Sequence, residues 1–457
     1  MMKKAIAGLL ALTLVALSTA WAGDWYVSPA GDDGNDGSDA AHAWRTITHA
    51  VSSVSGTFAD PATVHIAAGT YDRSVEGDFP IEIGSGVGHL ILEGADEATT
   101  IIDGAGAPDW EEYYLFEADG ADRVEFRNLR LTGGRGGVNL EDVDIAAVLA
   151  HVTLDGFIPH SWGSALSAIR ATGMNGSLEL DTVTITSPIV NTYGGGLYAS
   201  NVAGDITLQD VTFTEPAALY NSGGAVYVND LGGDFRCIDG TVTEPYADQK
   251  GGAFCLLQVA GEIEIRGVAI SSPTAMWSDG GAIYIKGGAA DGSELDEDWL
   301  GGDILLEDLV IDSAYANDNG GAVLIKEVGG AVTLNNLTLT GPNARYSHGG
   351  AFYLKEINGI LTGNGITVVD PRADDHGGTF YLKDLQNDVT LSNVTITNTD
   401  AIYGRGGAFY AEDMGGDITL DGVTIDDSYA GNQGGALYFN DLDGALTLQN
   451  LTVDGGH

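Results

Sequence analysis

Gly223-Gly224-Ala225-Val226-Tyr227-Val228-Asn229-Asp230-Leu231-Gly232-Gly233-Asp234-Phe235-Arg236-Cys237-Ile238-Asp239-Gly240-Thr241-Val242-Thr243-Glu244-Pro245 decides the fold. Its first run, Ala225–Val228, alternates, so Val226 and Val228 point one way and Tyr227 the other. Gly232-Gly233 breaks the chain. A second run sets Phe235 and Cys237 on one face, and Asp239-Gly240 turns it. A third run, Thr241–Thr243, ends at Glu244-Pro245. The unit is three short strands and three turns, with no helical period.

The unit recurs. Gly-Gly pairs begin at Gly194, Gly223, Gly251, Gly280, Gly320, Gly349, Gly377, Gly406 and Gly434. Successive starts lie about 29 residues apart, alternating with steps one shorter, as a solenoid repeat requires. The single long step, from Gly280 to Gly320, reads as one ordinary coil plus a loop around Ala289–Trp299. Three residues after each first glycine stand Leu197, Val226, Phe254, Ile283, Val323, Phe352, Phe380, Phe409 and Leu437. Five after it stand Ala199, Val228, Leu256, Ile285, Ile325, Leu354, Leu382, Ala411 and Phe439. Two unbroken apolar columns mean a buried face that one repeat cannot close alone. The pattern predicts an all-β fold, a right-handed parallel β-helix in which three sheets enclose an apolar column, with about 29 residues per coil.

Two finer columns sit in the turns. Asn128, Asp210, Asp239, Asp308, Asn336, Asn393 and Asn450, with Gly267, Gly365 and Gly422, precede the third strand. These residue types tolerate left-handed angles, and the Asx side chains can form a stacked ladder. Before each Gly-Gly an aromatic alternates between two places. It stands three residues ahead at Tyr220, Trp277, Tyr346 and Tyr403, and five ahead at Tyr246, Tyr315 and Tyr429, with Arg372 in the fourth such place. The true repeating unit is therefore a pair of coils, one long and one short.

Gly223–Tyr227, Gly280–Tyr284 and Gly434–Tyr438 carry a Gly-Gly-Ala-(Ile/Leu/Val)-Tyr motif. In it the chain resembles the polymorphic outer membrane protein repeat family, within the pectate-lyase-like β-helices. That resemblance implies a surface-exposed, often adhesive protein. Trp25–Pro29, Trp44–Ile47 and Ile66–Tyr71 look like the opening segment of many secreted pectate-lyase-like proteins.

In chain order, 1–22 read as a secretory signal: Lys3 and Lys4, an apolar Ala5–Ala20, and a small-x-small site at Ala20-Trp21-Ala22. Residues 23–61 hold a strand and a capping helix, begun by Ser38 or Asp39, with Trp44, Ile47, Val51 and Val54 on one face. Residues 62–193 form irregular coils and 194–457 the regular ones. Nothing after the signal is apolar for long enough to span a membrane. The last coil, ending at Asp454-Gly455-Gly456-His457, offers an edge for end-to-end self-association.

Sixty-five acidic against 19 basic residues give a net charge of −46, which excludes nucleic acid as a partner and fits a soluble exterior, a salty habitat or divalent cations, while the signal implies a secreted or cell-surface location. Cys237 falls in an inward column and Cys255 in an outward one, on different sheets, so both are expected to be free thiols.

Three groups are candidates for function. The outward column Tyr198, Tyr227, Tyr284, Tyr353, Tyr381, Tyr410 and Tyr438 could bind sugar faces or a cell-surface protein, or simply brace the sheet. Lys286, Lys326, Lys355 and Lys383 run beside it, neutralised by Glu327, Glu356 and Asp384. Arg345, His348, Asp375, His376 and Arg405 make a basic patch in successive turns that could move a proton on a bound uronate or hold a metal, although the rest of that column reads as an ordinary polar turn. Asp32, Asp33, Asp36 and Asp39 could hold calcium, and no other cofactor is required. Two functions follow. One is a non-catalytic adhesive or structural rod that binds carbohydrate. The other is a lyase or hydrolase acting on acidic polysaccharide, which calls for a groove lined by the basic patch.

Overall fold

A computed structural model describes residues 23–106, 113–157, 166–287 and 301–456. The expected secretory signal and the loop around Ala289–Trp299 lie outside the described residues. The chain winds as a parallel β-helix. Each regular coil opens with a strand such as Val226–Leu231, and these strands stack into a 13-stranded sheet. At about 4.8 Å per strand, thirteen coils make a rod on the order of 60 Å long.

The second and third strands, Phe235–Ile238 and Thr241–Thr243 in this coil, join one network of 31 strands rather than two separate sheets. The reason is local. In some coils, Ser177–Thr186 and Val389–Ala401 among them, a single strand runs through the corner and pairs on both sides of it. A two-residue strand, such as Tyr246–Ala247, adds a fourth segment that the alternation pattern is too short to reveal.

The corner before the third strand is left-handed throughout, with φ of 52° at Asp210, 55° at Asp239 and 51° at Asn336. Its ladder is interrupted in an instructive way. Asn336 Nδ2 donates to the stacked Asp308 at 3.1 Å. Asn393 and Asn450 follow coils whose corner is a glycine, Gly365 and Gly422. They donate instead to the preceding residue, Asn364 or Asp421, each at 2.8 Å.

The Gly-Gly pair has two separate causes. Gly349 has φ of 69°, a left-handed turn that glycine enters without strain. Gly350 needs space, because a Cβ there would stand 2.0 Å from the carbonyl oxygen of Gly378 in the next coil. Both apolar columns are buried as expected, except that Leu437 and Phe439 in the last coil are half-buried. Phe352, Phe380 and Phe409 stack at 4.7 and 4.8 Å. Cys237 and Cys255 are free, and burial pushes both thiols up to about 12.

The capping helix runs Ile47–Ser53 and starts later than expected. Thr46 is its N-cap, accepting the His49 amide, while Asp39 closes an earlier turn through the Ala41 and His42 amides. Glu76 adds a second cap from the next coil, accepting the Ile47 and Thr48 amides at 2.9 and 3.0 Å. The apolar face is as expected, with Trp44, Ile47, Val51 and Val54 all buried.

Candidate functional site

The tyrosine column points outward but is not open. Tyr198↔Tyr227 and Tyr353↔Tyr381↔Tyr410↔Tyr438 are in direct register, and the last four rings stack at 4.8, 5.1 and 5.2 Å. Yet Tyr227, Tyr284, Tyr381 and Tyr410 are buried, and Tyr198, Tyr353 and Tyr438 are half-buried. The cover comes from the residue before Gly-Gly in the preceding coil. Tyr193 lies on Tyr227 at 4.4 Å, Lys250 over Tyr284 at 5.0 Å, His348 on Tyr381 at 4.6 Å and His376 on Tyr410 at 4.5 Å. Arg405 covers Tyr438 and donates to its hydroxyl at 3.2 Å. Burial pushes the Tyr353 and Tyr410 hydroxyls up to about 12. Five of the seven rings thus carry a side chain from the preceding turn over them.

The covering column is therefore not an ordinary polar turn. Its acceptors also take a backbone amide from the next coil. Ser222 receives Lys250 N, Asp279 receives Asn319 N, Asn319 receives His348 N, His348 Nδ1 receives His376 N, and His376 Nδ1 receives Arg405 N. Where the tyrosine is replaced by Cys255, its cover is the small Ser222, which hydrogen-bonds it.

Within this column the structure gathers part of the basic patch. His348 and His376 meet at a tilt of 38°, with ring centroids 5.1 Å apart. Asp375 reaches both, with Oδ1 2.7 Å from His376 Nδ1 and Oδ2 3.8 Å from His348 Nδ1. Burial holds both imidazoles below the usual histidine range, and Asp375 opposes that shift. Arg405 joins through its amide, but its guanidinium is spent on Tyr438. Arg345 stands apart, against the Tyr315 hydroxyl and over the Tyr346 ring.

Among the described residues the four N-terminal carboxylates do not gather three donors within reach of one ion. Asp32 accepts from Gly34, Asp36 from Ser38, and Asp39 from Ala41 and His42, each closing its own turn, whereas Asp33 reaches across to Arg45 and Thr46. The lysine row pairs much as expected, Lys286 with Glu327 at 3.1 Å and Lys355 with Glu356 at 2.5 Å. Lys383 differs, reaching Glu412 at 2.7 Å and Asp413 at 3.4 Å rather than Asp384.

Two features were not assigned a role from sequence. The first is the alternating aromatic of the turn before Gly-Gly. Tyr220, Trp277, Tyr346 and Tyr403 are 67, 67, 58 and 76% exposed, far more than Tyr227 or Tyr381 in the sheet. Their two-coil spacing was visible in the sequence, but their exposure was not.

The second is a buried carboxylate near the N-terminus. Glu125 lies 2.8 Å from His89 Nε2, accepts Arg123 Nε at 2.8 Å, and also pairs with Arg127. Burial alone would push its carboxyl up. The bonds from Arg123 and His89 and the Arg127 charge outweigh that and hold it below the usual range. The signal was the run of arginines Arg123, Arg127, Arg130 and Arg135 in an acidic chain. A depressed carboxyl adds stability above its ordinary value of 4.5 and loses it as pH falls through the depressed value. The strands His89–Gly94 and Arg123–Thr132 are expected to lose hydrogen-exchange protection below that pH before the distal coils do. Glu125→Gln should abolish this local acid sensitivity; an unchanged acid profile in the variant would contradict it.

Fold and site define a parallel β-helix with exposed aromatic rings along one turn. A family described as a protein of unknown function (DUF1565) matches residues 29–108, which cover the cap and first coils. No curated protein sequence matches the chain. Among solved structures, it is similar to the catalytic domain of a GH87 alpha-1,3-glucanase in complex with nigerose. That match has 11% identity and a TM-score of 0.39, and covers 90% of this chain and 66% of that one. It is also similar to a surface adhesin of Streptococcus pneumoniae, with 11% identity and a TM-score of 0.36, over 84% of each chain. A third similarity is to the A-module of a mannuronan C-5 epimerase from Azotobacter vinelandii. Here identity is 13% and the TM-score 0.24, over 86% of this chain and 91% of that one. None of the three is close enough to lend this chain an activity.

Proposed function

We propose that this protein is a secreted or cell-surface rod that binds polysaccharide without catalysis, through the exposed aromatic rings of the turn before Gly-Gly. The observation that carries the reading is the row Tyr220, Trp277, Tyr346 and Tyr403, each more than half exposed and each one coil pair from the next. Two coils advance the row by about 9.6 Å. An extended glycan in a two-fold conformation turns the same ring face outward at every second sugar, a repeat close to that step. Stacking on flat rings suits the apolar face of a pyranose. A net charge of −46 disfavours a uronate-rich chain and favours a neutral one. Among the described residues no helix is long and apolar enough to cross a membrane.

The test is a glycan array followed by affinity electrophoresis, with calcium and with EDTA. Each ring is expected to contribute on the order of 1 kcal/mol. Trp277→Ala with Tyr346→Ala should therefore weaken binding to a neutral glycan by roughly 30-fold. Tyr381→Ala should act through stability and not through affinity in the folded fraction. Equal affinity of the double variant and the parent would remove the aromatic row from the reading. Release of unsaturated uronate, seen by ultraviolet absorbance, would replace the binding rod with a lyase.

A further inference from the structure

We propose that His348, Asp375 and His376 form a binding site for a divalent transition-metal ion of the zinc class. This rests on a different part of the turn from the aromatic row and stands independently of carbohydrate binding.

The geometry comes from the coil stack. His348 and His376 each immediately precede a Gly-Gly pair, so one coil step places their rings side by side, with centroids 5.1 Å apart and planes tilted by 38°. His348 also stacks on Tyr381 and His376 on Tyr410, so each imidazole is partly ordered before an ion binds. Asp375 inserts a carboxylate beside both. One donor atom from each of the three residues lies within 4.8 Å of the others, and no other such group of three occurs among the described residues. Two ligands on a tetrahedral ion with bonds of about 2.0 Å sit about 3.3 Å apart. The Asp375 contacts, at 2.7 and 3.8 Å, fall on either side of that separation. Ligation requires the three donors to draw to that separation.

The donor set selects the ion. Two imidazole nitrogens and one carboxylate oxygen suit zinc and its neighbours, whereas calcium and magnesium require a fuller shell of oxygens. The neutral imidazole is the form that ligates, so binding is expected to strengthen as pH rises through the histidine range. Asp375 keeps 44% of its side chain exposed, so an ion can reach the three donors from solvent.

The amide ladder does not by itself account for this trio. It needs only an acceptor in each coil, and Ser222, Asp279 and Asn319 supply one without an imidazole. Asp375 accepts none of its amides. The ladder does set a cost, because His348 Nδ1 and His376 Nδ1 each accept an amide at 3.2 Å that an ion on the same nitrogen would release. Both are at the long end of the hydrogen-bond range, so this tempers affinity without forbidding binding.

The test uses the full chain, stripped with a chelator and titrated with zinc by calorimetry. Cobalt(II) serves as an optical probe. One ion per chain is expected at the site, with the visible absorption of low-coordinate cobalt. His348→Asn keeps a ladder acceptor like Asn319 but removes the imidazole, so it separates metal binding from folding. His348→Asn, His376→Asn and Asp375→Asn are each expected to weaken zinc binding at least tenfold and to abolish the cobalt absorption, while the circular dichroism of the strands is unchanged. Zinc affinity unaltered in all three folded variants would mean adventitious binding to the acidic surface and would overturn the site. So would an absence of binding by the parent chain.

Discussion

Gly350→Ala is expected to destabilise the protein by about 3 kcal/mol or more, at the upper end of what overpacking costs. The cause is space and not backbone angle. An alanine Cβ would stand 2.0 Å from the Gly378 carbonyl oxygen and 2.7 Å from backbone atoms of Arg372. Neither can swing aside: Gly378 belongs to the next coil, tied to this one by Gly350 N→Gly377 O at 3.1 Å and the strand ladder beyond, and Arg372 is held by its pairing with Asn343. Relief requires the coils to part along their length. Gly84 is the control, since a Cβ there meets nothing within 4 Å. Gly84→Ala is expected to be neutral, or stabilising by about 0.4–1 kcal/mol through the unfolded chain. Denaturant unfolding compares the two, and equal midpoints would refute the steric account.

Phe380→Ala should cost about 3–5 kcal/mol, the usual range for deleting a buried phenylalanine. Phe380 lies between Phe352 and Phe409 at 4.7 and 4.8 Å and is fully buried, so the neighbouring coils cannot collapse into the space without losing their own register. A solenoid coil touches only its neighbours, so the loss is expected to be local. Hydrogen-exchange protection should fall in Phe352–Ile357 and Phe409–Met414 and persist in His89–Gly94. Phe380→Leu should recover most of it. Uniform loosening from end to end would argue against nearest-neighbour stability.

Both predictions concern parts of the fold that were readable beforehand. The columns at Val226 and Val228, the turn at Asp239 and the free cysteines all follow from alternation and spacing, because a stacked coil repeats each residue's environment at a fixed interval. The start of the capping helix was misplaced for a local reason. Asp39 satisfies its turn within three residues, and the effective caps are Thr46 and, from another coil, Glu76.

The candidate site was legible only in pieces. Period-two alternation says that Tyr227, Tyr381 and Tyr410 leave the core, but not what the previous coil lays over them. The cover lies more than a full coil earlier in the chain, as His348 does for Tyr381 and His376 for Tyr410, and that offset has meaning only once the coils are stacked. The same stacking decided which aromatics remain open. Tyr346 and Tyr381 look alike as residues, yet one is 58% exposed and the other 6%.

The sequence by itself determined the repeat, the inward columns and the turn chemistry, because these depend on short-range sterics and on burial with a fixed period. Tertiary structure alone decided the outer surface. Whether an outward side chain meets solvent, a neighbouring ring or a carboxylate depends on the turn of an adjacent coil, and that is how His348, Asp375 and His376 come together.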